Sequence, residues 1–416
     1  MSTSPLSTPA RYAVLFAAFA ALLFDGFELG LMPVASLSVS QSLLGAEFNK
    51  ALGGDWFARF TAALMFGAAV GGIGLGWLGD RLGRKRAMGI SVLFYSVFAG
   101  LGAYAKTQEQ MLVLRFLVGL GVGGVWPNAV ALVAECWPST SRPTVAGILG
   151  AAINVGILTL SQVAQYWPIK PDSWRWLFQL SAAPTLLGIS VLVLLPESPR
   201  WLISRSQPKS PGGPWRQLFR PPLLRVTIIG ILLGSVPLVG AWAASKWMIP
   251  WADEIGGSVQ PGYKAQTQQW WALGATLGSF FGAIVANRLG RRLSYFLISI
   301  GATVLTVSMF QFTAPLRSTF FPMVFCQGLV STLFFGWLAL YLPELFPTEV
   351  RAIGSGISYN VGRFATAGGV LATGLLFTAL GGSYTAVGSA GSIIYSLGMI
   401  LIWWAPTTAD STLDER

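Results

Sequence analysis

Histidine is absent from all 416 residues, and cysteine occurs only twice, at Cys136 and Cys326. The commonest general base and a leading nitrogen ligand for metals are therefore missing. The two cysteines stand far apart in apolar surroundings, so neither a disulfide framework nor a zinc site is indicated. Charge is scarce as well: 10% of the residues are Asp, Glu, Lys or Arg, against about 25% in a soluble domain. No GxxxxGK[ST] phosphate loop appears, which argues against a primary pump. No nucleophile and base pair survives the lack of histidine, which argues against an enzyme. The net charge of +11 is not gathered into a basic stripe interleaved with aromatics, so nucleic acid is not an expected partner. No cofactor or metal is expected.

What the chain has in quantity is apolar surface. Hydrophobic residues make up 53% and the mean hydropathy is +0.61, which is the composition of an integral membrane protein. Its 49 glycines and 17 tryptophans fit that class, since helix contacts in lipid favour small residues and interfacial belts favour Trp. The opening "MSTSPLSTPA" is uncharged and no small-residue cleavage site follows, so the first apolar segment is expected to stay in the mature protein. Apolar runs bounded by charged or Pro/Gly-rich breaks predict twelve transmembrane helices. They begin near Tyr12, Phe57, Ala87, Met111, Thr144, Trp176, Val226, Gln268, Leu293, Thr319, Ala352 and Tyr384. A break rich in Pro, Ser, Gly and Arg runs from Pro196 to Arg225 and divides the chain into residues 1–195, a linker 196–225, and residues 226–416. The expected fold class is an all-α membrane protein, with two pseudo-symmetric six-helix bundles. Basic residues crowd the side shared by both termini and the linker, so a protein of the plasma (inner) membrane with both termini in the cytoplasm is expected.

The two halves repeat one design. "GWLGDRLGRKR" after the second segment returns as "IVANRLGRR" after the eighth, matching Arg81, Gly83 and Arg84 to Arg288, Gly290 and Arg291. After the fourth segment "AECWPSTSRPTVAG" returns after the tenth as "PELFPTEVRAIGSG", matching Glu135 to Glu344 and Arg142 to Arg351. Two matches at nearly one spacing point to duplication.

These residues resemble the major facilitator superfamily over almost the whole chain. The loop from Gly76 through Asp80 to Arg86 looks like that superfamily's signature between helices 2 and 3, and "RFLVGLGVGG" from Arg115 is similar to its helix 4 motif. "PESPRWL" at Pro196–Leu202, with "SWRWLF" ahead of the sixth segment, resembles the sugar-porter, organic-ion and aromatic-acid branches. "DGFE" in segment 1 and "VGRFATAGG" in segment 11 resemble patterns of the aromatic acid/proton symporters, although the proline usual after the arginine is missing. The Gly-Pro antiporter motif is absent from "GILGAAINVGILTL", which favours symport or uniport over drug efflux. The resemblance implies a monomeric secondary transporter with a small-molecule site between its halves and alternating access. It also implies a gate in which Gly76, Asp80, Arg81, Gly83, Arg84, Arg288, Arg291, Glu135, Arg142, Glu344 and Arg351 take part. Asp80 would dock at the cytoplasmic start of helix 11, where a helix dipole favours an anion. Asn287 stands where the second such acid would be, so gating is expected to be asymmetric.

Charges inside the apolar runs carry the chemical argument, because a charge at mid-bilayer depth persists only where it faces a partner or water. Asp25 and Glu28 in "FDGFELG" are three apart and share one helix face. Arg115 enters from the opposite side at similar depth, so the three form a candidate proton-coupling group; the plainer reading is an ion pair that fastens two helices. Arg363, with Tyr359 and Asn360, is the candidate anchor for a substrate carboxylate, whose shape a guanidinium fits in two-point contact. Lys246 either joins it or snorkels to the headgroups. Asn128, Trp126, Asn154, Gln162 and Trp242 are candidate cavity residues. The expected cargo is a small organic anion carried with protons. A sugar or other neutral solute is the alternative, and a non-transporting receptor is the alternative from another class.

Overall fold

A computed structural model of the protein describes residues 6–137, 142–204, 214–347 and 350–407. All regular structure among the described residues is helical, and twelve helices are long and apolar enough to cross a membrane. Numbered along the chain, helices 1 to 6 are Thr8–Glu47, Lys50–Leu82, Arg84–Tyr104, Gln108–Cys136, Ile148–Tyr166 and Arg175–Leu194. Helices 7 to 12 are Leu223–Gly256, Tyr263–Leu289, Arg291–Gln311, Phe320–Glu344, Ile353–Ala379 and Tyr384–Trp404. Helices 1, 2 and 8 begin before their apolar runs, at Thr8, Lys50 and Tyr263. Polar first turns such as "KALGGDW" continue the backbone ladder while hydropathy falls. Helix 4 starts where Thr107 accepts a hydrogen bond from the Gln110 amide at 3.3 Å, which satisfies one of the free N–H groups of the first turn.

Two compact units divide the chain. The first comprises Met1–Glu47, Ala63–Leu160 and Ile169–Lys209; the second comprises Phe48–Ala62, Ser161–Pro168 and Ser210–Arg416. Helices 2 and 5 thus contribute one end each to the second unit.

Within the first unit, helices 1 and 5 touch backbone to backbone. A β-carbon on Gly26 would overlap the Ile153 carbonyl, and one on Gly156 would overlap the Leu23 carbonyl. Small residues at such crossings let helices approach closely where no hydrophobic drive pulls them together in lipid. The core of the second unit is aromatic. Tyr295 lies 4.5 Å from Trp337, and Phe334 stacks on Tyr395 at 6.1 Å. Phe57, from the start of helix 2, meets Trp247 at 5.0 Å, and Trp247 stacks on Phe377 at 4.9 Å.

Candidate functional site

The crossing at Gly26 and Gly156 fixes the turn of helix 1 that bears Asp25 and Glu28. Both acids are buried, Asp25 at 0% exposure and Glu28 at 1%. Arg115 of helix 4 donates from Nη1 to Glu28 Oε2 at 3.1 Å and from Nη2 to the Glu28 backbone carbonyl at 3.3 Å. Helix 3 is pinned beside them, since the Tyr95 hydroxyl donates to the Ala21 carbonyl, four residues before Asp25, at 3.3 Å. Two carboxylates and one guanidinium are therefore buried together in the first unit. Burial disfavours a bare carboxylate and a guanidinium favours it, so the protonation of such a group answers to small changes in its surroundings.

Two cations are buried in the second unit. Arg363 on helix 11 is 7% exposed, and its guanidinium lies 5.2 Å from the Tyr359 ring one turn earlier. Asn360 beside it donates to the Gly356 carbonyl of its own helix at 2.9 Å. Lys246 on helix 7 is 1% exposed, so it does not snorkel to the headgroups. Its ammonium lies 3.3 Å from the Trp271 ring centre and 5.9 Å from that of Trp242.

The candidate cavity residues part ways. Asn128 is tied to helix packing, its amide donating to the Leu75 and Gly124 carbonyls at 3.0 and 2.8 Å. Gln162 accepts from Gln269 at 2.5 Å, next to a bond from Gln268 to Ser161 at 3.1 Å, and so joins helix 5 to helix 8 within the second unit. Asn154 and Trp242 are buried, and Trp126 is half-buried. Three residues not singled out in the sequence gather at Lys246: Trp271 beneath its ammonium, Ser245 before it in the chain, and Gln327 hydrogen-bonded to both of these. The signal for them was a set of polar groups at mid-helix depth, hidden by reading Trp as an interfacial belt residue.

The repeated loops form the same clasp in both halves of the chain. In the first, Arg84 joins Glu135 at 3.3 Å and Asp80, one turn earlier, at 2.5 Å. In the second, Arg291 grips Glu344 in two-point contact at 3.0 and 2.7 Å. Asn287 there accepts from Arg291 at 2.8 Å, as Asp80 does from Arg84, with the charge removed. Gly83 and Gly290 turn the chain at φ 111° and 82°, a left-handed region that favours glycine. A β-carbon on Gly83 would also strike the Glu197 carboxylate. Glu197 accepts from the Lys85 and Ser198 amides at 3.0 Å each, and the Ser198 hydroxyl donates to Glu135. Both residues belong to the "PESPRWL" stretch and were absent from the expected clasp. Arg81 lies over the Trp77 ring at 4.0 Å, Arg288 is exposed, and Arg351 donates to the Phe346 carbonyl at 3.2 Å. Gly76 has room, with Pro127 3.8 Å from where a β-carbon would stand. The side chain of Arg142 lies outside the described residues.

Residues 13–211 match the family model described as sugar (and other) transporter. A cis,cis-muconate transport protein of Acinetobacter baylyi is 32% identical over 384 residues, covering 90% of this chain and 88% of that protein. A protein of Cupriavidus pinatubonensis, described as a probable 4-methylmuconolactone transporter, is 29% identical over 419 residues, covering 98% and 93%. Among solved structures, the inward-open xylose transporter XylE of E. coli superposes with a TM-score of 0.75 at 17% identity, covering 97% of this chain and 98% of that one. That likeness bears on the fold alone. The length and identity of the muconate transporter match establish the kinship that the repeated loops first suggested: the chain belongs to the sugar (and other) transporter family of the major facilitator superfamily, a multi-pass membrane transporter and not an enzyme.

Proposed function

We propose that this transporter moves a small organic anion together with protons, by alternating access, as a monomer of the inner membrane with both termini in the cytoplasm. The observation that carries the reading is the buried group of Asp25, Glu28 and Arg115, with Arg115 on Glu28 at 3.1 Å. A proton carrier needs a carboxylate whose ionised form can be held or released, and two buried acids with a guanidinium on one of them supply such a group. The buried cation Arg363 suits an anionic cargo. Muconate is a dicarboxylate and a muconolactone carries one carboxylate, so the named cargoes of two relatives support the same class. Uptake of cis,cis-muconate into proteoliposomes tests this reading. An inward proton gradient is expected to drive accumulation of the anion. Asp25→Asn or Glu28→Gln is expected to abolish accumulation while sparing exchange across the membrane. If both variants still concentrate the anion, the acids are structural and coupling lies elsewhere.

A further inference from the structure

Helix 7 changes its winding where Lys246 stands. It runs as α-helix over Leu223–Val239, widens into a π turn over Gly240–Ala244, tightens into a 3₁₀ turn over Ser245–Trp247 and resumes as α-helix over Met248–Gly256. π turns are rare inside α-helices and frequently lie at functional sites. Here the effect is to bury Lys246 deep in the second unit, about 15 Å from the end of the helix at Gly256. Among the described residues its ammonium makes no hydrogen bond and no ion pair.

The surroundings of that ammonium are built. Trp271, the ring beneath it, donates its indole N–H to Gln327 Oε1 at 2.9 Å. The Gln327 amide nitrogen donates in turn to Ser245 Oγ at 2.5 Å and to Thr306 Oγ1 at 3.2 Å. Ser245 closes the chain on the Tyr395 hydroxyl at 3.1 Å, and Tyr395 can come so near because Gly240 has no side chain to obstruct its ring. These polar neighbours satisfy one another and orient the indole. The ammonium keeps all three of its donors. A cation over an indole face recovers part of the cost of leaving water, but a neutral side chain there would avoid that cost altogether. A residue held at such a cost points to a ligand that supplies the missing charge.

We infer that Lys246 on Trp271 is the anion anchor of the second unit. It takes one carboxylate of the cargo on its free ammonium donors, and Trp271 holds the ammonium while the site is empty. The inference rests on the anion reading above and adds to it the group that receives the charge.

The test is titration of the purified full-length protein with cis,cis-muconate and with benzoate, using benzamide as the neutral control. Calorimetry reads affinity and a thermal melt reads stability. The parent is expected to bind at least one anion and not benzamide. Lys246→Met, which keeps the bulk of the stem, is expected to lose at least tenfold in anion affinity with a melting temperature no lower than the parent's. Lys246→Arg restores the charge and is expected to recover most of the affinity. Unchanged anion binding by Lys246→Met overturns this inference and leaves the anion reading standing, and a collapsed fold in that variant overturns it by showing a structural lysine. A parent that binds neither anion defeats the anion reading itself, and this inference with it.

Discussion

Truncating one partner of a buried ion pair leaves an uncompensated charge and costs about 3–5 kcal/mol. Glu28→Gln keeps the shape but strips Arg115 of its counter-charge, so its melting temperature has to be read beside its transport. Arg363 calls for the opposite treatment, in which the charge stays and the shape changes. Its guanidinium is buried beside Tyr359, and a planar fork meets a carboxylate at two points where a lysine offers one. Arg363→Lys is expected to weaken binding of cis,cis-muconate and Arg363→Ala to weaken it further, as read by titration of the purified variants. Equal affinity in the parent and in Arg363→Ala would remove this residue from the site. The acids, Arg115 and Arg363 were legible in the sequence because a charge in an apolar run has few explanations. Trp271 was not, because nothing in a sequence separates a tryptophan that supports an ammonium from one that sits at the headgroups.

Among the elements, helices 1 and 5 depend most on small residues, since Gly26 and Gly156 let their backbones meet beside the buried acids. Gly26→Val forces side-chain atoms into the Ile153 carbonyl, and overpacking of this kind costs about 1–3 kcal/mol. A lower melting temperature in detergent and slower uptake are expected. Gly150→Ala in the same stretch is the control, because a β-carbon there meets open space and alanine is the better helix former. A Gly26→Val protein that melts with the parent would show that the two helices can separate without loss. Hydropathy located all twelve helices, but it placed the start of helix 2 at Phe57 where the structure has Lys50. It also had no means of finding the π turn in helix 7: a change of winding alters which way Lys246 points without altering how apolar the segment is.

At the scale of the whole molecule, the two clasps differ in charge at one corresponding position, Asp80 in one half and Asn287 in the other. If the charged clasp holds the cytoplasmic side shut, Asp80→Asn is expected to shift the population towards the inward-open form. The readout is faster labelling of a cysteine placed on that side, in a chain whose Cys136 and Cys326 are replaced by serine. An unchanged labelling rate would reduce the loop arginines to markers of topology. The repeat itself was legible because its residues are charged and recur at nearly one spacing. The contribution of Glu197 and Ser198 was not, since they reach Lys85 and Glu135 from a distant part of the chain.

The partners of the first clasp, Asp80, Arg84, Glu135 and Ser198, have all been synthesised before the ribosome reaches the middle of the 416 residues. Leading parts of a chain tend to fold while the rest is still being made. The first clasp can therefore close around a nascent chain whose second half does not yet exist. The second, which ends at Glu344, must wait until most of the protein is already in the bilayer.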